Sequence, residues 1–174
     1  MTQKMNRRSV LKTSAVAGAA FAAPLYVPHT VFGANENPVM GIIGSGGRGC
    51  DVMRKMIRRD ARFVAVCDVS EPRIKDGLES AQINNDGKIE VYRDFEKLLE
   101  RKDIDAVLIG TPEHQHCKQT VAAVQAGKDV YCEKPMSHTI EEGAWTVKEV
   151  RKTDRIVQIG MQRRSAPLIH EGLK

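Results

Sequence analysis

The chain has 174 residues, of which 41% are hydrophobic, and its formal net charge is +5. These values are typical of a soluble globular domain that buries a sizeable core. Positions 1–34 hold four basic and no acidic residues, which leaves 23 basic and 22 acidic residues in the rest of the chain. The excess positive charge therefore belongs to the N-terminus and gives no reason to expect a nucleic-acid partner.

The N-terminal segment has the pattern of an export signal. Arg7 and Arg8 precede an uncharged, alanine-rich run over residues 13–23. This resembles a twin-arginine (Tat) signal, so we expect the Tat translocon as a partner and the periplasm as the destination. A membrane anchor is the alternative, but a span needs about 20 mostly apolar residues, and prolines and a histidine interrupt this run. We therefore predict a signal peptide over residues 1–34 and one domain over residues 35–174.

Six short segments beyond the signal are predicted to be β-strands. Apart from the third they are apolar, as expected of strands covered on both faces. They are Val39–Ile43, Phe63–Cys67, Ile89–Tyr92, Ala106–Ile109, Asp129–Cys132 and Ile156–Ile159. Strands that alternate with helices predict an α/β fold with a doubly wound parallel sheet.

The segments between the strands carry helix signals. Val52, Met53, Met56 and Ile57 form one apolar stripe in the first of them. Ser70 and Asp94 are predicted to cap the second and third helices, and the second fades at the turn cluster 84–87. The fourth helix is predicted over residues 114–126, with Gly127 just past its end, and Thr139 with Glu142 forms a capping box for a fifth helix that runs to Val150.

The four cysteines have no C-x-x-C spacing. Zinc or iron–sulfur ligation by Cys50, Cys67, Cys117 and Cys132 is therefore not expected. A disulfide stays open in an exported protein, but Cys67 and Cys132 each end an apolar run. We interpret these two residues as small buried hydrophobic side chains.

A glycine-rich turn follows the first predicted strand. Gly44, Gly46 and Gly49 have the spacing G-x-G-x-x-G between a strand and a helix. In a dinucleotide site the first glycine permits a tight turn, the second lets the backbone approach a pyrophosphate and the third allows close helix packing. A glycine-rich loop without a ligand is the alternative.

Asp68, at the end of the second strand, favours NAD because it can accept hydrogen bonds from ribose hydroxyls, while the neighbouring Arg73 leaves NADP open.

Polar residues also follow the fourth and fifth strands, whose carboxyl ends should line the same site. A lysine at such a position, Lys134, can transfer a proton, although an exposed surface lysine is the equal alternative. His114 and His116 lie on different faces of a helix, so a metal site is not expected and a supporting structural role is favoured. Residues 162–164, Gln-Arg-Arg, could hold a sugar or an acid, or could be solvated basic surface.

Taken together, these residues resemble the Gfo/Idh/MocA family of oxidoreductases, named for glucose–fructose oxidoreductase and inositol dehydrogenase. The matching segments are residues 44–49, 67–68, 111–116, 133–135 and 160–164. The resemblance implies a Rossmann NAD(P)-binding domain and hydride transfer between nicotinamide and a small sugar or cyclitol. It implies catalytic roles for Lys134 and His116. It implies cofactor binding by Gly44, Ser45, Gly46, Arg48, Gly49, Asp68, Thr111, Pro112, His114, Glu133 and Lys134. The tight turn at Lys134–Pro135 predicts a cis peptide bond.

Family members continue with a second α/β domain that supplies most of the substrate pocket. Because this sequence ends at Lys174, we expect a truncated chain that binds the cofactor but turns over little substrate alone. An NAD-dependent glycosidase of the same family and a non-catalytic nucleotide-binding fragment are the alternatives. The resemblance leaves a homo-oligomer of the full-length protein open.

Overall fold

A computed structural model of the protein describes residues 37–83, 87–165 and 167–172. The predicted export signal and most of the turn cluster at 84–87 lie outside these residues. Within the described part of the chain, no helix has the length and hydropathy needed to cross a membrane.

The six predicted strands form one parallel sheet with the order β3-β2-β1-β4-β5-β6. This confirms the predicted doubly wound α/β architecture, and the predicted strand ends differ by one residue at most. The strands are β1 (Val39–Ile43), β2 (Arg62–Cys67), β3 (Glu90–Tyr92), β4 (Ala106–Ile109), β5 (Asp129–Glu133) and β6 (Val157–Gly160).

Helices connect successive strands and cover both faces of the sheet. They are α1 (Gly47–Ile57), α2 (Glu71–Ala81), α3 (Phe95–Leu99), α4 (Glu113–Gln125), α5 (Ile140–Val150) and the C-terminal α6 (Pro167–Gly172). A 3₁₀ helix, Gln162–Ser165, follows β6.

The core consists of two apolar layers, one on each face of the sheet. Ile42 points into a layer that includes Met53 of α1 and Phe63 of β2. The next residue, Ile43, points into the opposite layer with Val124 of α4. Successive side chains of a strand alternate between faces, so both faces of β1 must be apolar. This requirement explains the uninterrupted hydrophobic run in the sequence.

Most of the predicted helix ends are confirmed. The Asp94 carboxylate accepts a hydrogen bond from the Glu96 amide at 2.9 Å, and Thr139 and Glu142 form the capping box in both directions. Gly127 follows α4 with φ of +77°, a conformation that glycine adopts without a Cβ penalty. The prediction for Ser70 is wrong in one respect: it occupies the N-cap position, but its side chain forms no capping bond. Its backbone amide is instead bound to the Asp68 carboxylate at 3.0 Å.

All four cysteines are buried as free thiols. Burial raises the pKa of each thiol, and it raises those of Cys67 and Cys132 to about 12. The interpretation of Cys67 and Cys132 as small core residues is confirmed, and the disulfide that the sequence left open is not formed.

The native protein should therefore resist thiol reagents. The thiolate is the reactive form, and a raised pKa keeps these groups protonated at about pH 8. We expect labelling by iodoacetamide to be slow in the native state and complete in denaturant, where mass spectrometry should find four modified cysteines. Two cysteines that stay unlabelled in denaturant without reductant would indicate a disulfide and contradict the structure.

Candidate functional site

A crevice opens where the strand order reverses, between the carboxyl ends of β1 and β4. Ligands of open α/β sheets bind at this position. The crevice contains a cavity of about 720 Å³. The predicted site residues that line it are Gly44, Gly46, Arg48, Asp68, Thr111, Pro112 and His114.

The turn after β1 packs its backbone directly against its neighbours. Gly44 has φ of +86°, and a Cβ there would lie 2.5 Å from the Thr111 nitrogen. A Cβ on Gly49 would lie 2.3 Å from the Gly44 carbonyl oxygen. Both glycines are therefore required to bring α1 against the ends of β1 and β4. This is the geometry predicted for the first and third glycines of the motif.

Gly46 differs from these two glycines because a Cβ there would meet no atom within 4 Å. It lines the cavity immediately before α1 begins at Gly47. The first turn of α1 contains no acidic residue, so its unpaired backbone amides can attract an anion. A cradle that is open at Gly46 and faces a helix N-terminus fits the pyrophosphate of a dinucleotide.

The carboxylate of Asp68 is held at the cavity wall by two backbone amides. Ser45 donates to Oδ2 at 2.9 Å and Ser70 donates to Oδ1 at 3.0 Å. A carboxylate oxygen can accept more than one hydrogen bond, so both oxygens can still accept from the hydroxyls of a ribose. Ser45 itself is fully buried, and its hydroxyl donates to the Arg73 carbonyl at 2.8 Å. Ser45 therefore stabilises the turn through hydrogen bonds inside the fold.

Two guanidinium groups line the same cavity near Asp68. Arg73 pairs with Asp76 at 3.1 Å, and Arg93 pairs with Glu71. Arg93 was missed in the sequence. It follows β3, the neighbour of β2, so the sheet order places it beside Asp68. Both arginines are paired with carboxylates, so neither presents a free cation to the cavity.

Arg48 connects the glycine turn to the end of β5. It pairs with Asp51 at 2.8 Å and with the buried Glu133 at 2.9 Å. The hydrogen bond to Glu133 raises the pKa of the Arg48 guanidinium. Its Nε is buried and has no hydrogen-bond partner. Glu133 does not line the dinucleotide cavity, so its contact with that cavity passes through Arg48.

His116 is buried, and each of its ring nitrogens lies within hydrogen-bond distance of a backbone carbonyl oxygen, to one of which a neutral imidazole can donate. Nδ1 lies 2.6 Å from the Pro135 carbonyl oxygen, and Nε2 lies 2.8 Å from the Thr111 carbonyl oxygen. Because both nitrogens face backbone carbonyl groups inside the fold, the geometry does not favour the predicted catalytic role, which stays a prediction. The geometry supports a positioning role, because His116 ties the loop after β4 to the loop after β5.

The Lys134–Pro135 bond is cis, as predicted. Lys134 is exposed and lines a second, smaller cavity rather than the dinucleotide crevice. It forms no ion pair within the described part of the chain. The lysine is therefore available to a molecule bound next to the crevice. Among the described residues, no three His, Cys, Asp or Glu side chains are grouped as a metal site would require.

The crevice, the glycine turn and the fixed Asp68 define a dinucleotide-binding protein of the doubly wound class. Residues 39–161 match the Gfo/Idh/MocA model, described as an oxidoreductase family with an NAD-binding Rossmann fold, and residues 4–24 match the twin-arginine signal model. The chain belongs to the Gfo/Idh/MocA family.

Individual relatives agree with this assignment. An inositol 2-dehydrogenase of Salmonella typhimurium is 33% identical over 127 residues, which cover 71% of this chain and 37% of that protein. A myo-inositol 2-dehydrogenase of Thermotoga maritima is 32% identical over 127 residues, with 72% and 36% covered. The chain thus spans little more than a third of the length of these relatives.

The structural comparison gives the same result. A scyllo-inositol dehydrogenase of Lactobacillus casei, solved with NAD(H) and scyllo-inositol, superposes with a TM-score of 0.67 at 27% identity. The match covers 78% of this chain and 39% of that one.

Two glycine substitutions should separate binding from folding. Gly46→Ala adds a methyl group to open space, so stability should change by less than about 0.5 kcal/mol, while NAD binding weakens about tenfold or more because the cradle is filled. Gly49→Ala forces a backbone contact and should cost about 1–3 kcal/mol of unfolding free energy. Calorimetry for NAD and urea unfolding measure the two effects. Unchanged NAD affinity in Gly46→Ala would show that the pyrophosphate does not bind at this turn.

Proposed function

We propose that this chain is the cofactor-binding part of an NAD-dependent oxidoreductase that acts on an alcohol carbon of a sugar or cyclitol. The observation that supports the proposal best is the position of Lys134, which directly follows β5 beside the crevice and lines a separate cavity. The inositol dehydrogenase activities of two relatives fit such a substrate.

The residues of the crevice would divide the work of binding. The open backbone at Gly46 and the first amides of α1 would hold the pyrophosphate. Asp68, fixed by two backbone amides, would accept hydrogen bonds from the adenosine ribose. When bound, the cofactor supplies the hydride acceptor or donor at its nicotinamide ring.

Lys134 would handle the proton of the reaction. In the direction of carbonyl reduction its ammonium would donate a proton to the carbonyl oxygen of the substrate, and in the direction of alcohol oxidation its amine would accept the hydroxyl proton. His116 and the Arg48–Glu133 pair hold the turn that presents this lysine. His116 and the Arg48–Glu133 pair would act only by positioning this turn.

We also propose that the protein functions in the periplasm. The match of residues 4–24 to a twin-arginine signal supports export. This route carries folded proteins, so the cofactor would be loaded before export and retained. Periplasmic material purified without any bound nucleotide would argue against the idea.

A homo-oligomer of the full-length protein remains part of the proposal on the family resemblance alone.

The cofactor preference should depend on Asp68. A carboxylate repels a 2′-phosphate, so Asp68→Ala should weaken NAD binding and shift the NAD-to-NADP affinity ratio toward NADP by about tenfold or more. The matched control is Asp154→Ala, which removes the same charge from the exposed end of the α5–β6 connection. A ratio that moves equally in both variants, or in neither, would exclude Asp68 from the ribose site.

The role of Lys134 can be tested on the protein expressed from its complete reading frame. With a panel of sugars, cyclitols and their glycosides, the wild type should form NADH. Lys134→Ala should lower kcat by about 10²–10⁴-fold and leave NAD affinity nearly unchanged, because the lysine lies outside the dinucleotide cavity. Lys148→Ala, an exposed lysine of α5, serves as the control.

Three results would change the assignment. Glycoside cleavage without net NADH would favour the NAD-dependent glycosidase. Unchanged turnover in Lys134→Ala would remove its proton-transfer role. NAD binding with no turnover of any compound in the panel would favour a non-catalytic nucleotide-binding protein.

A further inference from the structure

Gln119 is a polar side chain on the buried face of α4. Its relative exposure is only 4%, and Val121, Ala123 and Val124 of the same helix are buried beside it in the sequence. Gln119 nevertheless lines the dinucleotide crevice. It lies outside every segment that carries the family resemblance, and it was not predicted as a site residue.

The carboxamide of Gln119 is bound to the protein at one end only. The Thr111 hydroxyl donates to Oε1 at 2.7 Å, a distance that is typical of an O–H donor and shorter than is usual for an amide N–H. This contact fixes the orientation of the carboxamide and leaves the two N–H groups of Nε2. Among the described residues, Nε2 has no hydrogen-bond partner.

The amide nitrogen of Gln119 is open to the crevice rather than enclosed. In the described part of the chain, Arg48 Nε is the only side-chain nitrogen or oxygen that is both unpartnered and fully shielded from solvent. Nε2 of Gln119 therefore reaches an accessible surface, and the crevice that Gln119 lines is that surface. A nearly buried donor without a partner destabilises a fold, so its presence points to a ligand that completes it.

The crevice fits the adenosine half of a dinucleotide. Among the described residues, its walls come from β1, β2, β4 and the segments that follow β2, β3 and β4, with none from β5 or β6. Asp68, the proposed ribose partner, lies in it, whereas Lys134 lines a separate cavity. Val69, which is 80% exposed, and Phe95 line the crevice as well. A base attached to a ribose at Asp68 would therefore meet apolar surface, as flat aromatic ligands require.

We infer that Gln119 is a cofactor-binding residue whose Nε2 group donates a hydrogen bond to a ring nitrogen of the adenine base. Adenine carries such acceptors at its edges. Thr111 is the positioning residue, because its hydroxyl holds Oε1 and thereby directs Nε2 into the crevice. The inference rests on the proposed function, because it assigns a contact to the same cofactor.

The test compares ligand binding in the wild type and in Gln119→Met, which keeps the side-chain length and removes both polar atoms. Gln125→Met is the matched control, because it makes the same substitution at the exposed end of α4. Calorimetry gives the dissociation constants of NAD and ADP-ribose. AMP and ribose 5-phosphate, titrated by NMR, separate the base from the sugar and its phosphate, and nicotinamide mononucleotide tests the other half of the cofactor.

Gln119→Met should raise the dissociation constants of NAD, ADP-ribose and AMP by about three- to tenfold, as the loss of one neutral hydrogen bond predicts. Those of ribose 5-phosphate and nicotinamide mononucleotide should not change, and Gln125→Met should bind all five ligands as the wild type does.

Unfolding in urea without nucleotide distinguishes binding from a structural role. The double variant Thr111→Val/Gln119→Met replaces both partners of the hydrogen bond by apolar groups. It should unfold at the same urea concentration as the wild type or at a higher one, because it also removes the donor that the protein leaves unpaired. A side chain that serves only the fold would give a lower midpoint and leave the NAD affinity of Gln119→Met unchanged.

Several outcomes would overturn the inference. These are unchanged NAD affinity in Gln119→Met, an equal loss in Gln125→Met, an equal loss for ribose 5-phosphate or nicotinamide mononucleotide, and a clearly lower urea midpoint in the double variant. In each case NAD binding by the wild type would leave the proposed function standing. A wild-type chain that binds no NAD would contradict the proposed function itself.

Discussion

The close approach of α1 to the sheet is the constraint on which the rest of the site depends. Gly44 and Gly49 permit backbone to meet backbone where a single Cβ would lie 2.3–2.5 Å from a neighbouring atom. With α1 this close, its first amides face the crevice, and the turn can donate the Ser45 amide to Asp68. The position of Asp68 is thus set by the same contact that positions the helix. A bulkier residue at either glycine would displace the helix N-terminus and the carboxylate together.

The sequence was sufficient to predict the sheet because parallel strands buried on both faces must be apolar throughout. Ile42 and Ile43 enter opposite core layers. Two consecutive apolar residues in a strand therefore indicate a sheet that is covered on both faces. Local signals succeeded for the same kind of reason: Asp94, Gly127 and the Thr139 capping box act on backbone groups within four residues of themselves. The cradle at Gly46 could be predicted as well, since the motif includes the strand and helix around it.

What the sequence did not predict depends on contacts between distant residues. Arg48 and Glu133 are 85 positions apart, and no spacing rule connects them before the sheet order is known. His116 matched a motif, but the motif could not show that both ring nitrogens face backbone carbonyl oxygens inside the fold. Ser70 is of a residue type that commonly caps helices, yet its side chain forms no capping bond. Its backbone amide instead donates to the Asp68 carboxylate. These side chains compete for partners that only the folded chain brings together.

The Arg48–Glu133 pair connects the wall of the dinucleotide crevice to the turn that carries Lys134. Arg48 lines the dinucleotide crevice, while Glu133 directly precedes the lysine of the second cavity. A ligand in the crevice that binds the Arg48 guanidinium would compete with Glu133 for that group. Thermodynamic linkage between two sites is reciprocal, so any such effect would change both affinities by the same factor. The salt bridge therefore offers a physical route by which occupancy of one cavity would change the affinity of the other.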